Sequence, residues 1–283
     1  MANATDLSFS ILVDNESAEG YQHEHGFAIW ISAFGKKLLF DTGQGFYLVQ
    51  NAGTSGIDLS SSDALILSHG HYDHTGGVLN FLSLNQHAEI FFHPDALKQR
   101  YSLKDVKSQK DISMPSEVRN ALQLVSPQRK HFIAKATEIF PNIWLTGSIP
   151  RRYSLEDTGG PFFTDSNGKQ PDTIDDDMTL WIETEKGIII VCGCCHSGLM
   201  NTIEYINTLT EHKGIIAIIG GFHLLNATQE RLEATVQTLR TLKLSLLVPC
   251  HCTGEKAVEL FKASFPNIVR KGYAGLKLKY SFV

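Results

Sequence analysis

Apolar positions follow two different rhythms along this chain. In the first ninety or so residues they alternate or form short runs. Phe9–Val13 is rich in β-formers, and Phe27–Ala33 and Lys37–Phe40 flank Phe34-Gly35 as the arms of a hairpin would. Ala64–Ser68 predicts a short buried strand, and Ile90–Phe92 another that stops at His93-Pro94. From Met178 the pattern becomes strand, helix, strand, helix. Met178–Glu183 and Gly187–Val191 form a second hairpin around Glu185-Lys186-Gly187. Leu199–Leu209 predicts a helix, Ile215–Ile219 and Leu244–Val248 predict strands, and Lys256–Ala263 a further helix. Leu232, Val236, Leu239 and Leu242 recur at helical spacing, which gives that helix a core face. Strands alternating with helices after an antiparallel opening imply a layered α/β protein.

Between these halves the character changes. Residues 95–135 carry nine Lys or Arg against four Asp or Glu, although the chain as a whole has a formal charge of −5. Pro141–Pro171 is dense in Gly, Pro and polar residues and reads as a long loop. Residues 95–175 are therefore expected to form an insertion or lid within one domain spanning 1–283. The Asp175-Asp176-Asp177 run reads as a solvated turn. The net charge argues against a general nucleic-acid binder. The longest aliphatic runs, Ile188–Val191 and Ile215–Ile219, fall far short of the ~20 residues that span a bilayer. Met1–Asn15 has no basic segment ahead of its apolar stretch, so no signal peptide is expected. Five cysteines, three of them crowded at Cys192, Cys194 and Cys195, suit reduced thiols and a cytoplasmic setting better than a disulfide framework.

The chemistry concentrates where a predicted strand ends. In Leu67-Ser68-His69-Gly70-His71-Tyr72-Asp73-His74-Thr75, four metal-ligand side chains fall within six residues. Imidazole nitrogen and carboxylate oxygen suit a borderline metal such as zinc. Six residues cannot fill a two-metal site, so further ligands are expected at other strand ends. His196 and His251 have that placement, and His223, in Gly220-Gly221-Phe222-His223-Leu224, is expected to face substrate or support the site. Asp41 also ends a strand and is positioned to orient a ligand histidine.

On these residues the chain resembles the metallo-β-lactamase superfamily, which implies an αββα sandwich of two mixed sheets flanked by helices. Glu24-His25-Gly26, Phe40-Asp41-Thr42-Gly43, Thr146-Gly147-Ser148-Ile149-Pro150-Arg151, Gly193-Cys194-Cys195-His196-Ser197-Gly198, Gly220-Gly221-Phe222-His223-Leu224 and His251-Cys252-Thr253-Gly254 resemble the branch named for dihydropterin synthases of methanopterin biosynthesis. That name implies a transferase joining a dihydropterin methyl diphosphate to an aminobenzene ribosyl phosphate. One position departs from the superfamily pattern: Gly193-Cys194 stands where a metal-bridging Asp is usual. A thiolate there can bridge or bind zinc, or Cys194 can be a buried apolar residue, and it is read as a group supporting the site.

The resemblance implies one ion on His69, His71 and His196 and a second on Asp73, His74 and His251. Two zinc ions are expected, with iron or manganese as substitutes. A water between them would become hydroxide near neutral pH and attack an ester or phosphate-containing small molecule, with Asp73 and His223 in catalytic roles. Arg151, Arg152 and the basic 95–135 stretch would suit a phosphorylated substrate. The transferase and a di-iron redox protein are the alternatives. A nuclease is disfavoured by the net charge, and the cysteine spacings lack the knuckle pattern of a structural zinc site.

Overall fold

A computed structural model describes residues 6–103 and 109–281. The described chain divides into two compact units. One takes the residues up to Lys98, Ser113–Phe132 and those from Gly272; the other takes Gln99–Ile112 and Ile133–Lys271.

The first unit is built on a seven-stranded mixed sheet. Its order is Lys277–Ser281, Asp6–Val13, Ala28–Ala33, Lys36–Phe40, Ala64–Ile66, Glu89–Phe92 and Lys130–Phe132. The first four strands run antiparallel and the last three join in parallel. Residues two apart share a sheet face, and here Ala28 with Trp30, Leu65 with Leu67 and Ile90 with Phe92 enter one buried cluster. Val78 and Phe81 from the helix Val78–Leu84, with Val118 and Leu122 from the helix Ser116–Leu124, complete it. The predicted hairpin is present: Phe34 and Gly35 both take positive φ, 51° and 78°, which lets the strands turn tightly.

The second unit holds a six-stranded mixed sheet in the order Leu246–Cys250, Ile215–Gly221, Gly187–Cys192, Thr179–Thr184, Ile143–Leu145 and Thr137–Phe140. The first three strands are mutually parallel. Parallel neighbours need a crossover connection, usually a helix, and Leu199–Leu209 and Gln229–Arg240 supply the two. Ile188, Ile190 and Cys192 pack with Leu199, Ile203, Ile206, Leu232, Val236 and Leu239. A small third sheet joins Phe162–Phe163, Tyr101–Leu103 and Gln109–Asp111.

Several expectations need adjustment. The region expected as one long loop contains the strand Ile143–Leu145, which pairs with Thr179–Thr184 and so belongs to the second sheet. The helix carrying Leu232 ends at Arg240, leaving Leu242 beyond it. The helices Leu48–Ser55 and Ser116–Leu124 were not predicted. Asp175-Asp176-Asp177 is no solvated turn: Asp176 and Asp177 are fully buried. Arg100, from the basic stretch, is buried as well, donating to Asp172 at 2.7 Å and to both oxygens of Asp176 at 2.8 and 2.5 Å. These carboxylates neutralise Arg100, which is therefore spent on structure rather than offered to a phosphate. Lys104 and Lys107 of that stretch lie outside the described residues. Among the described residues no helix is long and apolar enough to cross a membrane.

Candidate metal centre

In the first unit, the strand Ala64–Ile66 stops two residues short of its predicted end and hands over to the histidine loop. The loop enters a short helix at Tyr72–Thr75, so His69 lies before the helix and Asp73 and His74 within it. Asp41 organises the whole turn. Its carboxylate is completely buried and accepts from the Ser68 amide at 2.7 Å, the Ser68 hydroxyl at 2.7 Å and His74 Nδ1 at 2.7 Å. Asp41 itself sits at φ 61°, a left-handed conformation costly for a non-glycine residue. The fit is reinforced at Gly26, where an added Cβ would stand 2.5 Å from the Asp73 carbonyl.

The hydrogen bonds also settle the tautomers. The Ser68 hydroxyl has one proton, which goes to Asp41, so its oxygen accepts from His69 Nδ1 at 2.9 Å. His69 Nε2 then carries a lone pair, and it faces His71 Nδ1 at 2.9 Å. Two imidazole nitrogens on one tetrahedral zinc would stand roughly 3.3 Å apart, close to this spacing. The His69 ring also lies 4.3 Å from that of His74. His69, His71 and His74 are thus gathered as the sequence implies. Asp73 pairs with His25 Nε2 at 3.1 Å, and His25 is more than half exposed. Sequence reading gave His25 no role, although the Glu24-His25-Gly26 motif contained it. Glu24 accepts from the amides of Gln44, Gly45 and Phe46. Burial raises its pKa against the pull of those bonds.

The second unit contributes three strand ends. Gly187–Cys192, Ile215–Gly221 and Leu246–Cys250 are neighbours, with Cys192 opposite Gly220 and Gly221 opposite Cys250. Parallel pairing therefore delivers Cys194 and His196, His223, and His251 and Cys252 to one end of the sheet. Three of the residues here, Cys195, His223 and His251, take φ of 59°, 45° and 46°. Strained backbone of this kind collects at functional sites. The His196 and His223 rings are 4.2 Å apart, and Phe162 meets both edge-on. Cys194 lies against Cys252, which donates to its sulfur at 3.2 Å. Sequence reading had Cys252 in the His251-Cys252-Thr253-Gly254 motif without a ligand role.

The expected lid segment acts here as a buttress. Thr158 accepts from His196 Nδ1 at 2.8 Å, which fixes that ring's tautomer. Arg151 donates to the carbonyls of His196 at 2.9 Å and Thr173 at 2.6 Å. Glu156 accepts from the amides of Met200 and Asn201, capping the helix that follows His196. Arg152 is mostly exposed and pairs with Glu204 at 2.9 Å. Asp177 accepts from the Ser197 amide at 2.8 Å, but its Oδ1 has no hydrogen-bond partner among the described residues. Burial pushes its pKa up to about 6, against the opposing effect of Ser197 and Arg151. All five cysteines are buried. The hydrogen bond with Cys192, then burial, raises the Cys195 thiol well above its ordinary range. Burial also opposes ionisation of Cys252, yet Cys194, His223 and His251 together bring its thiol well below the usual value.

The chain is similar to known proteins along most of its length. The family model described as the metallo-beta-lactamase superfamily matches residues 24–188. The solved structure of Tm1679, described as a metal-dependent hydrolase of the beta-lactamase superfamily, superposes with a TM-score of 0.83. It is 32% identical and the match covers 97% of this chain and 99% of that one. Two proteins of Methanocaldococcus jannaschii are also similar. The uncharacterized protein MJ0448 is 32% identical, covering 94% of this chain and 97% of its own. The 7,8-dihydropterin-6-methyl-4-(beta-D-ribofuranosyl)-aminobenzene-5'-phosphate synthase is 28% identical, covering 92% of this chain and 90% of its own.

Proposed function

The chain belongs to the metallo-β-lactamase superfamily, and from that membership we propose that it is a metal-dependent hydrolase of an ester- or phosphate-containing small molecule. In this reading His69, His71 and His196 hold one zinc-class ion, and Asp73, His74 and His251 a second. The observation that carries it is the hydrogen-bond chain from Asp41 through Ser68 to His69, which aims the His69 Nε2 lone pair at His71 Nδ1. Such a pairing of imidazole nitrogens suits a shared cation, and a carboxylate behind the histidines is the usual means of fixing ligand tautomers. Bound there, zinc-class ions would supply Lewis-acid polarisation and lower the pKa of water.

The protein's own groups do the rest. Asp41 fixes the His74 ring by accepting a hydrogen bond from its Nδ1, so Nε2 is the nitrogen that would be offered to an ion. Thr158 does the same for His196. Asp73 would orient the attacking water as well as serve as a ligand, and the more than half exposed His25, its Nε2 3.1 Å from Asp73 Oδ2, holds that carboxylate in place. Arg151 holds the His196 backbone in place, a positioning task rather than the substrate contact expected for it, and Arg152 is the guanidinium exposed enough to meet a phosphate. We keep His223 out of the reaction, because its ring lies with the two thiols.

The synthase relative favours a second reading, in which the same ions stabilise a departing diphosphate during transfer of a pterin methyl group. A panel of phosphodiesters, thioesters, lactones and a pterin diphosphate, each with and without an arylamine acceptor, tests the proposal. Turnover without acceptor that chelation abolishes and zinc restores supports hydrolysis. Turnover that requires the acceptor supports transfer and overturns the hydrolase reading.

A further inference from the structure

We propose that Cys194, Cys252 and His223 form a second kind of metal site in this chain, a thiolate-rich pocket for a thiophilic divalent ion of the zinc class. His223 and Cys252 are donors outside the ligand set proposed above, and all three residues belong to the second unit. One ligand atom from each of the three residues lies within 4.8 Å of the others, and both thiols are buried. The arrangement follows from the sheet. Three adjacent parallel strands each send one of these residues off the same end, and the Gly221 amide ties the turns together through the Gly193 carbonyl at 3.1 Å. Gly221 also leaves the room the sulfur needs, since an added Cβ would stand 2.7 Å from Cys252 Sγ. Gly159 does the same for the imidazole: a Cβ there would fall 1.7 Å from the His223 ring.

The sulfur spacing separates a metal site from a disulfide. Two thiolates on one tetrahedral zinc, each about 2.3 Å from it, stand roughly 3.8 Å apart. A disulfide brings them to about 2.05 Å. At 3.2 Å the pair must open by about half an ångström to take an ion, and must close by about twice that to bond covalently. Binding replaces both S–H bonds by metal–sulfur bonds and sends two protons to solvent, with His223 as a neutral third donor. Two sulfurs and one imidazole select zinc or cadmium over magnesium and manganese.

X-ray absorption on the zinc-loaded full-length protein reads the first shell directly, without a variant. Sulfur scatterers at about 2.3 Å are expected, and a shell of nitrogen and oxygen alone overturns the proposal. In Cys252→Ser, checked for a wild-type melting curve, the sulfur contribution should fall; an unchanged contribution also overturns it. Cobalt loading gives an independent reading, because a thiolate-to-cobalt charge-transfer band is expected and its absence counts against the site. That band should persist in His69→Ala, so failure of the hydrolase reading and failure of this one give different results. Recovery of only three titratable thiols from the denatured, unreduced protein would show a disulfide and contradict the proposal.

Discussion

Two buried carboxylates stand behind the two sets of candidate ligands, and they are satisfied to different degrees. Asp41 takes three hydrogen bonds on two oxygens, from Ser68 twice and from His74. Asp177 has the Ser197 amide on one oxygen and nothing on the other among the described residues. The first is a completed turn that sets ring tautomers. The second is a buried carboxyl with one oxygen unmet, and burial pushes its pKa up to about 6. The ligand loop of the first unit is therefore held from within, whereas His196 in the second is held by an outer layer of Thr158, Arg151 and Glu156. Preorganisation in the first unit is local, and in the second it depends on a distant loop remaining in place.

Removing the buried cation of the second unit should have the largest effect. Arg100→Ala leaves Asp172 and Asp176 buried without their cation and should cost about 3–5 kcal/mol of stability. Chemical denaturation measures it; a loss under 1 kcal/mol would mean the segment is not anchored as described. Asp177→Asn comes next. Because the folded protein holds this proton more tightly than the unfolded chain, Asp177 contributes fully below the ordinary carboxylate value near pH 4. That contribution fades as pH rises through about 6. Wild-type stability should fall over that window by up to about 3 kcal/mol, and the variant should lose this fall while gaining stability at pH 8. Identical pH profiles would erase the contrast with Asp41.

Asp41→Asn tests the other side of the comparison. The amide cannot take all three protons, so the His74 tautomer is released and zinc affinity should drop about 10–100-fold. Competition with a chromophoric chelator reads this directly. Arg152→Ala serves as the floor. Its exposed pair with Glu204 should contribute about 1 kcal/mol or less, in melting or denaturant curves.

The same contrast explains what was legible in the sequence. His69, His71, Asp73 and His74 are contiguous, so their meeting needs only a loop at a strand end. Asp41 was legible for a similar reason, since strand ends on one rim are where a supporting carboxylate belongs. The Cys194, His223 and Cys252 cluster was not, because it depends on Gly187–Cys192, Ile215–Gly221 and Leu246–Cys250 being side-by-side and in register. Local pattern shows that those strands exist and not which are neighbours. Arg100 and its two carboxylates are over seventy residues apart, and charged side chains are ordinarily read as solvated. Burial turned that reading around, and with it the role of the basic segment.

The central claim is that the Asp41-organised loop is a metal-binding half-site. Zinc stoichiometry by equilibrium dialysis and elemental analysis, comparing wild type with His69→Ala, tests it most directly. The account predicts that the variant retains its fold by circular dichroism, binds at least one zinc fewer at matched free zinc, and loses turnover of any substrate found. Equal stoichiometry and equal turnover in the two proteins would contradict it.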